Sequence, residues 1–130
     1  MVSSFQFSNP SLLKLSFILN DGFEKEDDSK INIPLDQHVE IQPGPEENSA
    51  FVVLSLLIGK KDDSTPFFIE SKEAALFRWD PQKVDKEHSK KLLKQNAPAL
   101  LLAYLRPTIS VITSASPFAA YDIPFMNFTE

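Results

Sequence analysis

The sequence contains no cysteine and has three glycines among its 130 residues. Without cysteine there is no disulfide, no thiol nucleophile and no cysteine-based metal site, so a reducing compartment is expected. The glycines, Gly22, Gly44 and Gly59, are too scattered to form a phosphate-binding loop. Stability must therefore come from packing, and we expect neither a cofactor nor a metal.

Basic residues are also scarce, since 13 Lys and Arg stand against 18 Asp and Glu and the formal net charge is −5. Sequence-independent binding of nucleic acid needs a surplus of Lys and Arg on one face, so we expect no nucleic-acid partner. The sequence has no uninterrupted run of about 18 apolar residues. Residues 1–10 also lack the basic start and apolar core of a secretory signal. These features predict a soluble, cytoplasmic protein with no membrane insertion.

Motifs of catalytic sites are absent as well. His38 and His88 are the two histidines, and no His-Glu-x-x-His or Gly-x-Ser-x-Gly motif occurs. The three pairs of adjacent acids, Asp27-Asp28, Glu46-Glu47 and Asp62-Asp63, lie in separate predicted turns, and none has the spacing of a calcium loop. We therefore expect that the protein is not an enzyme.

The residues that are abundant favour extended structure, with eleven Phe and ten Pro. Alternating apolar residues predict four strands, near residues 11–20, 31–41, 49–58 and 66–79. The third is apolar on both faces and should be central, while Pro34 marks the second as an edge or a bulge. Four consecutive strands joined by polar turns predict an antiparallel sheet, either a meander or a Greek key.

The apolar period changes near residue 85 and stays helical over residues 85–113. Pro98 is natural at the first position of a helix, so we expect a short helix ending near Asn96 and a longer one starting at Pro98. Residues 114–130 contain two further prolines and several aromatics, which predicts an extended tail.

Several segments together resemble the pattern of one known protein family. Residues 96–106, Asn-Ala-Pro-Ala-Leu-Leu-Leu-Ala-Tyr-Leu-Arg, resemble the segment that opens the long helix of that family. Residues 124–128, Pro-Phe-Met-Asn-Phe, resemble the end of its proline-rich crossover, and the first and fourth strands also align. These segments are similar to the SecB family of export chaperones, and the resemblance identifies residues 1–130 as a single SecB-like α+β domain. It implies a four-stranded antiparallel sheet packed against a long helix, followed by a proline-rich, aromatic C-terminal crossover.

Two features depart from the family pattern. SecB proteins continue past Asn-Phe into a second C-terminal helix, whereas this sequence ends two residues after Phe128, so a shortened member is expected. Export members also carry acids on the sheet face that docks the translocase motor SecA. Glu70 fits that pattern and is the predicted partner-docking residue, although a solvated strand glutamate needs no function. Lys14 and Ile18 stand where further acids are expected, which puts docking to SecA in doubt.

The resemblance implies binding of unfolded or extended polypeptide, which requires an apolar groove with aromatic contacts. We predict a groove whose wall is formed by the tail and the helix and whose floor is formed by the fourth strand. Its residues are Phe67, Phe77, Trp79, Leu101, Tyr104, Phe118, Tyr121, Phe125 and Met126. The same side chains would also suit the core of a small domain, so core and groove remain alternatives. Arg106 matches an arginine of the family, but it is also explained by a stem lying along the helix surface.

Three functions are compatible with the predicted fold and groove. The first is a holding chaperone for unfolded polypeptide, with protein export as its setting. The second is a SecB-like chaperone dedicated to one partner, such as the antitoxin of a toxin–antitoxin pair, and the third and least supported is an enzyme. Because one helix cannot cover both faces of an apolar sheet, and because SecB proteins form dimers of dimers, we also predict a homo-oligomer, a dimer or a tetramer.

Overall fold

The structure is a computed structural model that describes residues 1–24 and 31–129. Residues 25–30, which lie between the first two predicted strands, are outside the described residues. In chain order the elements are β1 (Phe5–Phe7), β2 (Ser11–Leu19), β3 (Leu35–Pro43), β4 (Ser49–Gly59), β5 (Phe67–Trp79), α1 (Lys86–Lys91), a π-helical segment (Leu92–Asn96) and α2 (Ala97–Ser114). Strands followed by one long helix are the predicted α+β order, and the fold class is confirmed.

The strands form one antiparallel sheet in the order β1-β5-β4-β3, and β2 also pairs with β5. Strands β1 and β2 therefore follow one another along one edge of the sheet, and β3 forms the other edge. Strands β3, β4 and β5 are neighbours in chain order, whereas β2 lies beside β5 and not beside β3, the strand that follows it. The topology is therefore a Greek key and not a meander. The sheet has five strands where the sequence predicted four, since the three-residue β1 was not foreseen.

Strand β3 begins at Leu35, four residues later than the predicted start at residue 31. Pro34 has no N–H to give to a ladder, and its carbonyl accepts a hydrogen bond from the N–H of Gly59 at 2.8 Å. The predicted edge position of this strand is confirmed. The irregularity in the sheet falls elsewhere, in β2 between Leu12 and Lys14.

Strand β4 is central, as predicted, and alternation of its side chains divides the sheet into two faces. On the inner face Leu54, Leu56 and Ile58 are each 0% exposed. On the outer face Phe51 and Leu57 are both 42% exposed. The strand is therefore apolar on both sides, but among the described residues it is covered on the inner face alone, where the helix lies.

The helix runs without interruption from Lys86 to Ser114, so the expected break before Pro98 is wrong. The N–H of Ala97 donates to the carbonyl of Leu92, five residues earlier, which is the hydrogen bond of a π turn. In a regular α-helix the ring of Pro98 would clash with the carbonyl four residues before it. The wider π turn removes that clash and keeps the helix continuous.

One face of α2 is buried on the sheet, where Leu101, Leu105 and Ile109 are each 0% exposed. By length and composition alone the helix from Lys86 to Ser114 is apolar enough to cross a membrane. A core helix that packs on a sheet satisfies the same criterion, so this finding is weak evidence for a span.

After Ser114 the described chain has no further helix or strand up to Thr129. This tail lies on the core, with Ile123 at 0% and Phe128 at 8% exposed. It returns along α2, since Tyr121 is hydrogen-bonded near the end of the helix and Ile123 further back, at Arg106. The extended tail is as predicted, and much of it belongs to the core.

Candidate functional site

Six of the nine residues of the predicted groove fall into two aromatic clusters at opposite ends of β5. At one end Phe77 and Trp79 stack on Phe5, with ring centroids 5.5 and 6.3 Å apart. Tyr104 of α2 meets Phe7 of β1 edge-on at 6.5 Å. Sequence reasoning missed Phe5 and Phe7 because the strand that carries them was not predicted.

The second cluster surrounds Phe67 at the other end of β5. Its ring lies 5.6 Å from Phe17 and 6.2 Å from Tyr121, the latter in an edge-on arrangement. Nearby, Phe118 meets Phe23 edge-on at 5.7 Å. Burial raises the pKa of the Tyr121 hydroxyl because the charged phenolate is poorly solvated there. Phe17, Phe118 and Tyr121 of this cluster are partly buried and pack against the core.

The other predicted groove residues lie apart from one another. Leu101 is 0% exposed beneath the helix, Met126 is half-buried against the core, and Phe125 is 92% exposed. The nine predicted residues thus do not form one continuous wall and floor. Their role in client binding remains a prediction.

Glu70, the predicted docking residue, lies on the outer face of the sheet and is held by a basic neighbour. Its Oε2 accepts a hydrogen bond from Lys14 Nζ at 2.8 Å. This bond lowers the pKa of the Glu70 carboxyl below its usual value. The charge of Glu70 is therefore partly neutralised by Lys14, which stands at a position where the family pattern predicts an acid.

A concave surface does border the tail, at the open edge of β3. We call it the β3-tail cleft; its volume is about 420 Å³ and it is lined by Gln37, His38, Val39, Ile41, Lys94, Gln95, Phe128 and Thr129. Apolar side chains come from β3 and from the tail, and polar ones from β3, the π segment and Thr129. Among the described residues, no strand pairs with β3 on the side away from β4.

This arrangement can accept an extended peptide. An edge strand offers unpaired backbone groups for β-augmentation, and alternate side chains of the added strand then enter neighbouring pockets. The apolar residues Val39, Ile41 and Phe128 would contact such side chains. The alternation of β3 and the edge signal of Pro34 point to this strand, but no sequence signal places Lys94 and Gln95 beside it.

A second apolar surface lies between α2 and β2, at the edge of the sheet opposite to β3. It is an open depression of about 540 Å³ lined by Leu15, Pro107, Thr108, Val111, Ile112 and Ala115. None of these side chains ionises, and Val111 is 69% exposed. Tyr104, Pro107 and Val111 follow one another at helical spacing. We call this surface the α2 stripe.

Comparisons with known proteins agree with this architecture. The family model described as "Preprotein translocase subunit SecB" matches residues 15–130. An uncharacterized protein of Methanocaldococcus jannaschii is 25% identical over 124 residues, which cover 94% of this chain and 78% of that protein.

Two solved structures share the fold at low sequence identity. A Mycobacterium tuberculosis SecB-like chaperone in complex with a ChAD peptide from the HigA1 antitoxin superposes with a TM-score of 0.72 and 14% identity, covering 95% of this chain and 91% of that one. A protein of unknown function from Streptococcus agalactiae has a TM-score of 0.56 and 13% identity, with 93% and 97% covered. Since the family model spans nearly the whole chain and the fold agrees with it, the chain belongs to the SecB family.

Proposed function

We propose that this protein is a cytoplasmic, SecB-like chaperone that binds unfolded or extended polypeptide in the β3-tail cleft and catalyses no reaction. One observation carries the proposal: an open strand edge borders a concave surface to which Val39, Ile41 and Phe128 contribute apolar side chains. Membership of the SecB family supports the chaperone function. The structure of the M. tuberculosis relative, which contains a bound antitoxin peptide, supports a polypeptide as the ligand.

The length of the edge sets the size of the client segment. Strand β3 has nine residues. At about 3.3 Å per residue it offers roughly 30 Å of edge to a paired chain. A client would therefore bind through a segment of similar length, with every second side chain directed at Val39 and Ile41. Selection would depend on apolar residues at alternate positions. This pattern is typical of segments that form half-buried strands once a client has folded.

The replacement Ile41→Ser tests the site. Ile41 is 38% exposed, so the change should weaken client binding while costing the fold little. Loss of one apolar contact of up to about 1.5 kcal/mol corresponds to an affinity loss of up to roughly tenfold. The measurement is fluorescence anisotropy with a labelled, permanently unfolded test protein, alongside suppression of its aggregation.

Leu57→Ser is the matched control, because Leu57 is 42% exposed on the opposite face of the sheet. Equal weakening by both replacements would move the site away from the β3-tail cleft. A wild-type protein that held no unfolded polypeptide at all would overturn the chaperone proposal itself.

A dedicated partner is the second candidate function. The M. tuberculosis relative with an antitoxin peptide favours it, and the pairing of Glu70 with Lys14 weakens the case for SecA docking and hence for general export. A general holding chaperone should suppress aggregation of several unrelated unfolded proteins to a similar extent. A dedicated chaperone should bind one partner far more tightly than all of them.

We further propose that the protein is a homo-oligomer and that its copies associate through the α2 stripe. Charged residues are depleted at the centre of protein interfaces. The stripe meets that condition, whereas the outer face of the sheet carries Lys14, Glu70, Lys72 and Arg78 among its apolar residues.

A further inference from the structure

Lysine is concentrated at one place in this acidic chain, around the start of the helix. Residues 83–94 contain five of the thirteen basic residues, and all five are exposed. They are Lys83, Lys86, Lys90, Lys91 and Lys94. The same segment contains two acids and has a formal charge of +3, whereas the rest of the chain has eight basic against sixteen acidic residues. We call the surface formed by these five lysines the α1 basic face.

The described part of the protein does not neutralise this face. Its two ion pairs join Lys14 to Glu70 and Arg78 to Glu46, and neither includes a lysine of the α1 basic face. The carboxylate of Asp85 serves as the N-cap of α1, where it accepts a hydrogen bond from the N–H of His88 at 2.7 Å. Glu87 is then the one other acid of the segment, set against five lysines.

Helix stability does not account for the lysines either. Basic side chains stabilise the C-terminal end of a helix, whereas Lys86 is the first residue of α1, where positive charge is unfavourable. Lys90 and Lys91 lie inside a helix that continues to Ser114, so no helix end is near them. Lys86 and Lys90 are four residues apart, and like charges at that spacing destabilise a helix. The lysines are therefore better explained by a partner than by the fold.

The composition of the segment indicates the kind of partner. Residues 83–94 contain no arginine and no Phe, Tyr or Trp, so they lack the planar forks and stacking rings with which proteins bind nucleic acid. Val84 and Leu93 are buried and Leu92 is half-buried, so the segment opens no apolar face for insertion into a membrane. Carboxylates of another protein are the anions that suit exposed, flexible ammonium groups of this kind.

We propose that the α1 basic face docks a run of Asp and Glu residues in a partner protein, at a site separate from the β3-tail cleft. Of its five lysines, Lys94 is the one that lines that cleft. From Lys86 to Lys94 the helix rises about 12 Å. An extended acidic segment covers this length with about four residues. Because single exposed ion pairs contribute little, binding requires several of them together and is weakened by salt.

A labelled ten-residue peptide of alternating Asp and Glu tests this docking by fluorescence anisotropy. Its neutral analogue, of alternating Asn and Gln, is the reference. The wild-type protein should bind the acidic peptide at low salt and the neutral one far more weakly, and high salt should abolish the difference because the charges are screened. A ten-nucleotide single-stranded RNA and vesicles containing phosphatidylserine are measured as the other two classes of anion.

Paired substitutions locate the site. Lys86→Glu with Lys90→Glu should weaken binding of the acidic peptide roughly tenfold, since two exposed ion pairs are lost and two repulsions are added. Lys86→Gln with Lys90→Gln removes the charge without adding acid and should weaken binding by about threefold. The matched control is Lys60→Glu with Lys61→Glu, an equal change of net charge at two exposed positions between β4 and β5, and it should have less than about a twofold effect.

Three outcomes would overturn the proposal. The first is a wild type that does not bind the acidic peptide at low salt. The second is equal weakening by the two paired changes to Glu, which would show that overall charge is responsible. The third is tighter binding of the RNA or the vesicles than of the acidic peptide, which would assign the face to another class of partner. Binding of an unfolded test protein should be the same in all variants, so failure of this proposal is distinguishable from failure of the proposed chaperone function.

Discussion

At the scale of single residues, the least expected side chain is that of Glu73. It is 5% exposed on the inner face of β5, where its strand partners are Leu12 and Leu54. Burial raises the pKa of its carboxyl because the charged form loses solvation among apolar neighbours. Two residues earlier on the same face, the Ser71 hydroxyl has no hydrogen-bond partner among the described residues. This part of the core is polar without being fully satisfied.

Glu73→Gln should therefore raise the melting temperature at pH 7. The folded-state pKa lies above the unfolded one, so the favourable contribution of Glu73 is complete below the usual glutamate pKa and is lost as the pH rises through the folded pKa. The gain from glutamine should accordingly shrink as the pH falls from 7 to 4. Thermal unfolding followed by circular dichroism across that range checks it.

Glu70→Gln provides a control of opposite sign, since Lys14 lowers the pKa of that carboxyl. Its replacement should slightly reduce stability at pH 7 and have less effect at pH 4. A stabilisation by Glu73→Gln that did not depend on pH would show that ionisation is not its cause.

At the scale of elements, the tail is fastened to α2 by two side chains of the helix. The Thr113 hydroxyl accepts a hydrogen bond from the N–H of Tyr121 at 2.7 Å and donates one to the Ile109 carbonyl, also at 2.7 Å. Eight residues from the end of the helix, Arg106 Nε donates to the Ile123 carbonyl at 3.0 Å. The arginine that resembles the one in the family thus holds the tail, instead of simply lying along the helix surface.

Thr113→Val should destabilise the protein by about 1–3 kcal/mol, because valine keeps the shape of the 0% exposed threonine but leaves the Tyr121 N–H unsatisfied. Thr108→Val is the same change on the same helix. Its hydroxyl donates to the Tyr104 carbonyl at 3.3 Å near the surface, so it should cost less than about 0.5 kcal/mol. Urea unfolding of both variants compares the free energies. Similar losses would mean that Thr113 does not fasten the tail.

At the scale of the whole molecule, two apolar surfaces remain open on the described chain. The outer face of the sheet exposes Phe51 and Leu57, but charged residues lie between its apolar positions. The α2 stripe carries no charge, and its helix has Arg106 as its one charged residue over residues 97–114. Self-association is therefore better supported by the helix flank than by the sheet face.

Val111→Asp should dissociate the proposed homo-oligomer, because it places an unpaired charge at the most exposed apolar position of the α2 stripe. Val2→Asp is the control, since Val2 is 83% exposed near the N-terminus. Light scattering at micromolar concentration should give a monomer mass for Val111→Asp and an oligomer mass for both the wild type and the control. A wild type that was already monomeric would contradict the proposal.

The sequence by itself determined the class of the fold. Hydrophobic periodicity depends on neighbouring residues, so it revealed four of the strands, the change to a helix near residue 85 and the central position of β4. It could not reveal β1, because three residues are too few for a period and the strand exists through its pairing with β5. It also could not show that a π turn would keep the helix continuous through Pro98.

Tertiary structure alone decided where the candidate site lies. The β3-tail cleft brings residues 37–41 together with residues 94–95 and 128–129, and no local pattern relates segments so far apart in the chain. The predicted groove residues were divided between two clusters because Phe67 and Phe77 stand at opposite ends of one long strand. Local periodicity fixes which face of an element is apolar, whereas long-range pairing fixes which of those faces is covered and which stays open.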